Sequence, residues 1–315
     1  MTDLRTKRIV VTGGAGFLGR SVCRVLRERG VDPGRVIVPR SREFDLTVEA
    51  DVRRLFDTVR PEVVIHLAAE VGGIGANQAH PGRFFFANLA MGLNLVEAAR
   101  RSGIEKFVHT GTVCAYPRNC PVPFREDDLW NGFPEATNAP YGVAKKAIFV
   151  MLDAYRREYG LRSAVTVPVN LYGPGDDFDP ASSHVIPALI RKCEEARLAS
   201  SAAITCWGSG TATREFLHVD DAAEGIVRAA EVLEDPLPVN LGGGEEISIR
   251  DLVSKVAAAC GYTGRIEWDA SKPDGQPRRS LDISRARALL DWSPRRDFQS
   301  GLADTVRWWR EQPRG

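Results

Sequence analysis

The chain has 315 residues, with 42 lysines and arginines against 41 aspartates and glutamates, a net charge of +1, 29 glycines and six cysteines. That length supports one large or two smaller domains around a substantial core, and the balanced charge gives no general attraction to nucleic acid or a membrane. The opening residues lead into an apolar run far too short for a signal or spanning helix, and the scattered cysteines include no Cys-x-x-Cys pair and no zinc spacing. A cytoplasmic protein is expected, with reduced thiols, no structural metal and a small ligand.

In chain order, Arg8 to Val11 is a short apolar run that reads as a strand. It is followed at once by Thr12-Gly13-Gly14-Ala15-Gly16-Phe17-Leu18-Gly19 and then by the helical spacing Val22, Val25, Leu26. In this setting Gly13 permits a tight turn, Gly16 lets backbone approach a pyrophosphate, and Gly19 lets helix pack on strand, while the helix N-terminus offers amides to the phosphates. An ordinary glycine-rich turn is the bland alternative, and the strand-to-helix context favours dinucleotide binding. A second strand, Arg35 to Val38, ends at Pro39-Arg40-Ser41-Arg42, where an NAD-specific protein commonly places a carboxylate. Arg40 and Arg42 suit a 2′-phosphate and favour NADP over NAD, although a solvated basic loop reads the same way. Asp45 and Leu46 follow closely enough to meet the adenine end.

Val63 to Ala69 is an apolar strand running into Glu70-Val71-Gly72-Gly73, a small-residue turn of the kind that borders ligand at the carboxyl end of a parallel strand. His66 within it reads as structural. A helix spans about Pro81 to Arg101, and the next strand, Lys106 to Thr110, ends in Gly111-Thr112-Val113-Cys114. A hydroxyl and a thiol there point into the crevice of a doubly wound sheet, where Thr112 can bond a substrate oxygen. If Ala139 to Tyr159 is a helix, Tyr141 and Lys145 share a face with Cβ atoms roughly 5–6 Å apart. A phenol titrates near 10, and an adjacent ammonium is expected to lower it into a useful range. By itself Tyr-x-x-x-Lys is a weak signal, frequent by chance.

The strand Ser163 to Pro168 runs into Asn170-Leu171-Tyr172-Gly173-Pro174, where the regular alternation breaks. The pattern predicts an α/β fold, a Rossmann-like doubly wound parallel sheet in residues 1–172 with 214–244 returning to it, and a smaller C-terminal α/β substrate domain over the rest of 173–315. Beyond the border come Ser183-His184-Val185 opening a helix, a strand Ile204 to Trp207, Arg214 ahead of Asp220 and Asp221, and a basic turn from Lys272 to Arg279. The two aspartates have a sufficient reason as helix N-terminal residues, so no metal is expected there.

Together these motifs resemble the extended short-chain dehydrogenase/reductases over almost the whole chain, and within them the GDP-L-fucose synthase family. The resemblance is carried by Ala68 to Ile74, Thr137 to Tyr141, Asn170 to Pro174, Ser183 to Leu189, Trp207 to Gly210, Arg214 to Asp221 and the tail motif Lys272-Pro273-Asp274-Gly275. It implies an NADPH-dependent epimerase-reductase of a nucleotide-linked 4-keto-6-deoxy sugar, working as a homodimer. Tyr141 would protonate O4, and Lys145 would bind the nicotinamide ribose; Thr112 stands where the family usually has serine. Cys114 and His184 match the pair assigned to epimerisation, a chemistry that needs a base on one face of the carbon and an acid on the other. Taken singly, Cys114 reads as a small buried hydrophobe and His184 as a helix-start residue. Ala68, Asn170 and Leu171 would border the cofactor, and Val71, Gly72, Asn170, Val185, Arg191, Trp207, Arg214 and Lys272 the substrate. Related 4,6-dehydratases carry Asp-Glu where this chain has Val113 and Cys114, which argues against dehydration. Glu70 departs from the family's basic residue. A redox-neutral epimerase with bound NAD(P), and a non-catalytic NADP sensor, are the alternatives.

Overall fold

Four strands among the described residues are buried along their whole length, and that pattern suits the middle of a parallel sheet covered on both faces. The computed structural model describes residues 1–272 and 275–312, with backbone alone for Ile74. Its first part contains β1 (Ile9–Thr12), α1 (Phe17–Glu28), β2 (Val36–Ile37), α2 (Glu49–Val59), β3 (Val63–His66), α3 (Ile74–Ala79), α4 (Pro81–Arg101), β4 (Lys106–Thr110), α5 (Ala139–Tyr159) and β5 (Ser163–Pro168). There follow β6 (Asn170–Tyr172), α6 (Val185–Leu198), β7 (Ala203–Trp207), β8 (Thr213–His218), α7 (Val219–Val232) and β9 (Pro238–Leu241). The tail holds β10 (Glu246–Ser248), α8 (Ile249–Cys260), β11 (Arg265–Asp269), α9 (Ser284–Leu290) and α10 (Phe298–Glu311).

The large sheet has six parallel strands in the order β2-β1-β3-β4-β5-β9. From β1 the chain goes outward to β2 and then crosses back to β3, so the crevice at the carboxyl ends of β1 and β3 is the topological switch point where ligands of such sheets bind. α1 packs with α7 in one layer, and α2, α4 and α5 pack together in another. The main apolar core lies between these layers and the sheet, with Val10, Ile65, Val108, Val165 and Val239 fully buried. β9 reaches the sheet's edge after α7.

A second apolar cluster, built on Ile190, Phe216, Val253, Val256 and Leu302, lies between α6, α8 and α10 and two small sheets. In one, β8 pairs with β6 in parallel and with β10 antiparallel; the other is the parallel pair β7 and β11. The turn after β8 brings His218 to cap α7, where Nδ1 accepts the Asp220 N–H at 3.2 Å. Asp220 and Asp221 hold Arg296, one through its guanidinium at 3.1 Å and the other through its N–H at 2.9 Å. His66 is structural: buried in mid-sheet, its Nδ1 is 2.8 Å from the Thr12 hydroxyl, and burial drives its pKa well below the ordinary value.

Candidate active site

The first wall of the site is backbone. β1 ends at Thr12, and Gly13 turns the chain with φ +70°, in the left-handed region that a side chain disfavours. A Cβ on Gly13 would fall 2.8 Å from the Ala68 nitrogen, and one on Gly19 only 2.1 Å from the Gly13 carbonyl oxygen. These glycines therefore let the turn sit against β3 and let α1 start directly behind it. Gly16 is the N-cap of α1 and provides no capping side chain, so the first-turn amides around Phe17 and Leu18 remain available to an anion. A turn with no room for a Cβ, leading into first-turn amides that no side chain caps, fits the pyrophosphate of a dinucleotide. Gly19→Ala is expected to weaken NADPH affinity at least about tenfold, since relieving overpacking against backbone commonly costs more than the 1.4 kcal/mol that tenfold represents; fluorescence titration of bound NADPH measures it.

From this cradle a single cavity of about 1320 Å³ runs across the carboxyl ends of the strands to the second apolar cluster. Its volume exceeds the roughly 300–1,000 Å³ of an ordinary small-molecule pocket and suits two large ligands laid end to end. Gly13, Gly16, Phe17, Leu18, Gly19, Arg40, Asp45, Leu46, Ala68, Asn170 and Leu171 all border it. Arg42 does not: its side chain is 82 % exposed and lies 3.6 Å from Glu43. The loop after β2 thus presents one of the two expected arginines to the cavity, where Pro39, Arg40 and Ser41 border it.

The reacting groups come together where α5 meets the loop after β4. The Thr112 hydroxyl accepts the Cys114 N–H at 3.2 Å, closing a short 3₁₀ turn over Val113–Ala115. Gly142 packs directly on that turn, since a Cβ there would be 2.2 Å from the Cys114 carbonyl oxygen. This close approach carries its neighbour Tyr141 to Thr112 and Cys114. Tyr141 is 7 % exposed and Lys145 2 %.

Burial changes the acid-base expectation for this pair. The Tyr141 phenol is pushed up, by loss of water first and by the nearby Cys114 second, with a Thr112 hydrogen bond opposing. Burial alone brings Lys145 down to about 7. The sequence suggested that Lys145 lowers Tyr141, but desolvation disfavours the charged form of each and outweighs their spacing along the helix. Tyr141 is consequently held protonated at neutral pH, the state a proton donor requires.

On the far side, His184 is the N-cap of α6 yet makes no side-chain capping bond, so helix capping does not account for its imidazole. His184 is exposed to the cavity; partial loss of water around the imidazole lowers its pKa, and Asp177 pushes it back up. Val71, Gly72, Val185, Arg191, Trp207 and Arg214 line this half. Arg191 donates to Glu195 at 2.7 Å and to the Phe178 carbonyl at 3.2 Å, while Arg214 donates to the carbonyls of Thr213 and Gln276 at 2.7 and 2.6 Å. Lys272 is set back from the wall, with its ammonium 5.5 Å from the centre of the Trp207 ring; Pro273 and Asp274 of its motif lie outside the described residues. Glu70 borders the cavity and pairs with Arg83 at 2.6 Å.

The polar lining residues that the sequence did not mark as site residues include Lys192, Gln276 and Arg279. Lys192 adjoins Arg191 on α6, so a helical-wheel placement of that pair could have found it. Gln276 and Arg279 reach the wall only through the folding back of the tail. Among the described residues, no cluster of three His, Cys, Asp or Glu side chains is placed to hold a metal ion.

A glycine cradle at the switch point, a buried tyrosine and lysine on one helix, and a second apolar cluster at the far end of the same cavity define an extended dinucleotide-dependent enzyme of the short-chain type. The chain belongs to the NAD dependent epimerase/dehydratase family, whose model matches residues 9–242. It is 39 % identical to the probable GDP-L-fucose synthase 1 of Oryza sativa subsp. japonica over 96 % of this chain and 92 % of that one. With the GDP-L-fucose synthase of Escherichia coli (strain K12) it shares 38 % identity over 97 % of each chain. Among solved structures, a GDP-L-fucose synthetase from Naegleria fowleri bound to NADP matches with a TM-score of 0.88 at 27 % identity, covering 99 % of this chain and 95 % of that one. A GDP-6-OMe-4-keto-L-xylo-heptose reductase from C. jejuni matches with a TM-score of 0.90 at 25 % identity over 97 % and 98 %.

Proposed function

We propose that this protein is an NADPH-dependent epimerase-reductase of a GDP-linked 4-keto-6-deoxy sugar, converting GDP-4-keto-6-deoxy-mannose to GDP-L-fucose. The observation that carries this reading is that Tyr141, Lys145, Thr112, Cys114 and His184 all open onto one cavity that begins at the glycine cradle. The curated relatives named for this activity, matched along nearly their whole length, support it, and NADP in the Naegleria structure supports the cofactor. NADPH, when bound, supplies the hydride that reduces the C4 ketone.

The chain's own residues do the rest. The first-turn amides of α1 and the Gly13 turn would hold the pyrophosphate, and Arg40 would meet the 2′-phosphate. Thr112 bonds the ketone oxygen, and Tyr141 gives its phenolic proton to O4 as that oxygen gains charge. Lys145 holds the nicotinamide ribose and compensates the phenolate left behind. Before reduction, Cys114 and His184 invert the carbons beside the ketone, whose protons the carbonyl acidifies: one group removes a proton from one face and the other returns one to the opposite face. Arg191, Lys192 and Arg214 supply positive charge for the diphosphate, and Trp207 offers a ring face to the base.

The redox-neutral alternative predicts no net oxidation of NADPH. Incubation with GDP-4-keto-6-deoxy-mannose is expected to consume one NADPH per product, and turnover without consumption would return the assignment to a simple epimerase.

We also infer a homodimer built on α4 and α5. Phe85, Phe86 and Leu93 on α4 and Val150 on α5 are exposed on this helix pair, an apolar face of the kind subunit interfaces cover. Phe86, 64 % exposed, is the test: Phe86→Glu is expected to shift the protein to the monomer mass in sedimentation, and an unchanged dimer would discard this face. Among the described residues no helix is long and apolar enough to cross a membrane. The six free cysteines support placing the protein in the reducing cytoplasm.

A further inference from the structure

The segment that joins β6 to α6, residues 173–184, is held at two points by the turns of the dinucleotide seat. The first hold is Arg20, the residue after Gly19 on α1. Its Nη1 donates to the Ala15 carbonyl at 3.1 Å and its Nη2 to the Gly175 carbonyl at 2.7 Å. Ala15 lies in the glycine turn and borders the cavity, whereas Arg20 does not border it. Gly175 has φ +88°, and a Cβ there would fall 2.7 Å from Arg20 Nη2, so the segment rests directly on the guanidinium.

The second hold is the turn after β3. The Gly73 N–H donates to the Ser182 carbonyl at 3.2 Å, and a Cβ on Gly73 would be 3.0 Å from the Ser183 carbonyl oxygen. Asn77, 4 % exposed, keeps this turn in shape, its Nδ2 donating to the Gly72 and Gly73 carbonyls at 2.7 and 3.1 Å. Between the holds the segment is braced. Asp177 Oδ1 accepts the Asp179 N–H at 2.9 Å, Asp179 Oδ1 accepts the Ala181 N–H at 2.8 Å, and Phe178 stacks on Trp309 of α10 with ring centres 4.2 Å apart. Its last residues, Ser183 and His184, border the cavity, as does Val185 at the start of α6.

A braced segment that rests on one ligand's turns and ends at another ligand's wall gives the two sites a physical connection. We propose that residues 173–184 are a strap coupling dinucleotide binding to nucleotide-diphosphate binding, and that Arg20 is the positioning residue that joins the strap to the dinucleotide seat. A pyrophosphate on the glycine turn immobilises Ala15 and with it Arg20; Arg20 then fixes Gly175, and the strap sets the first turn of α6 against the second ligand. That ligand meets a wall already ordered and binds more tightly. Coupling of this kind is reciprocal, so each ligand raises the affinity of the other by one common factor. The identity of the two ligands as NADP⁺ and GDP rests on the epimerase-reductase reading.

The test uses the nucleotides without turnover. GDP is titrated calorimetrically into the full chain with and without saturating NADP⁺, and UDP is run in parallel. The parent is expected to bind GDP at least about fivefold more tightly with NADP⁺ present. In Arg20→Ala that ratio is expected to fall below about twofold, while the affinity for each nucleotide alone stays within about threefold of the parent, because the side chain acts on the coupling and not on either ligand. Arg20→Lys, which can still donate to a carbonyl, is expected to keep a ratio above that of the alanine variant. Asn77→Ala releases the second hold and lowers the ratio by the other route. The same coupling with UDP in place of GDP would sink the GDP assignment and leave the strap standing. Equal affinity with and without NADP⁺ in the parent, or either alanine variant retaining the parental ratio, overturns the strap; binding of NADP⁺ with neither GDP nor UDP overturns both.

Discussion

Tyr141→Phe lowers NADPH oxidation in the presence of the keto sugar by about 10²–10⁴-fold, the range a positioned general acid contributes. The ring remains and only the hydroxyl is lost, so the packing of α5 on the Cys114 turn is retained and the melting temperature stays near that of the parent. The effect belongs to the chemical step and falls on kcat more than on KM. The raised phenol strengthens the expectation: burial holds Tyr141 protonated, and the Thr112 hydroxyl beside it, far less acidic than a phenol, can hydrogen-bond O4 but not protonate it. A Tyr141→Phe enzyme that reduces the ketone at more than a tenth of the parental rate would remove Tyr141 from the reaction.

Cys114→Ser acts on the other half of the chemistry. Exchange of solvent deuterium into the carbons flanking the ketone is expected to fall by about 10²–10⁴-fold, because a hydroxyl is far less acidic than a thiol and supplies almost no anionic base at neutral pH. Reduction of a substrate already inverted should fall much less, since Thr112, Tyr141 and Lys145 remain. The Cys114 N–H bond to Thr112 comes from backbone and survives the substitution. Exchange measured by NMR without NADPH, set beside hydride transfer to the pre-inverted sugar, separates the two; equal loss of both would show that Cys114 only shapes the pocket.

What the sequence made legible was local. The cradle at Gly13, Gly16 and Gly19 follows from steric demands within a dozen residues, and the helix carrying Tyr141 and Lys145 spans Ala139–Tyr159 as its pattern indicates. The long apolar strands identified a covered parallel sheet because apolar residues on both faces leave little alternative. What stayed illegible depends on distance along the chain. Desolvation of Tyr141 and Lys145 is set by everything packed around them, so their spacing alone pointed to the wrong direction for the phenol. Arg279 stands 165 positions from Cys114, and in the sequence it is one member of a basic turn; only the folding back of the tail brings it to the sulfur. Arg42 is the reverse case, plausible by composition and turned to solvent in the fold.

The central claim is that a single cavity inverts carbons beside a ketone and then reduces that ketone. Its most direct measurement is NMR of the product formed from GDP-4-keto-6-deoxy-mannose and NADPH in deuterium oxide. The account predicts GDP-L-fucose with solvent deuterium at C3 and C5 and one NADPH oxidised per molecule formed. A reduced sugar with its original configuration and no deuterium at those carbons would contradict it.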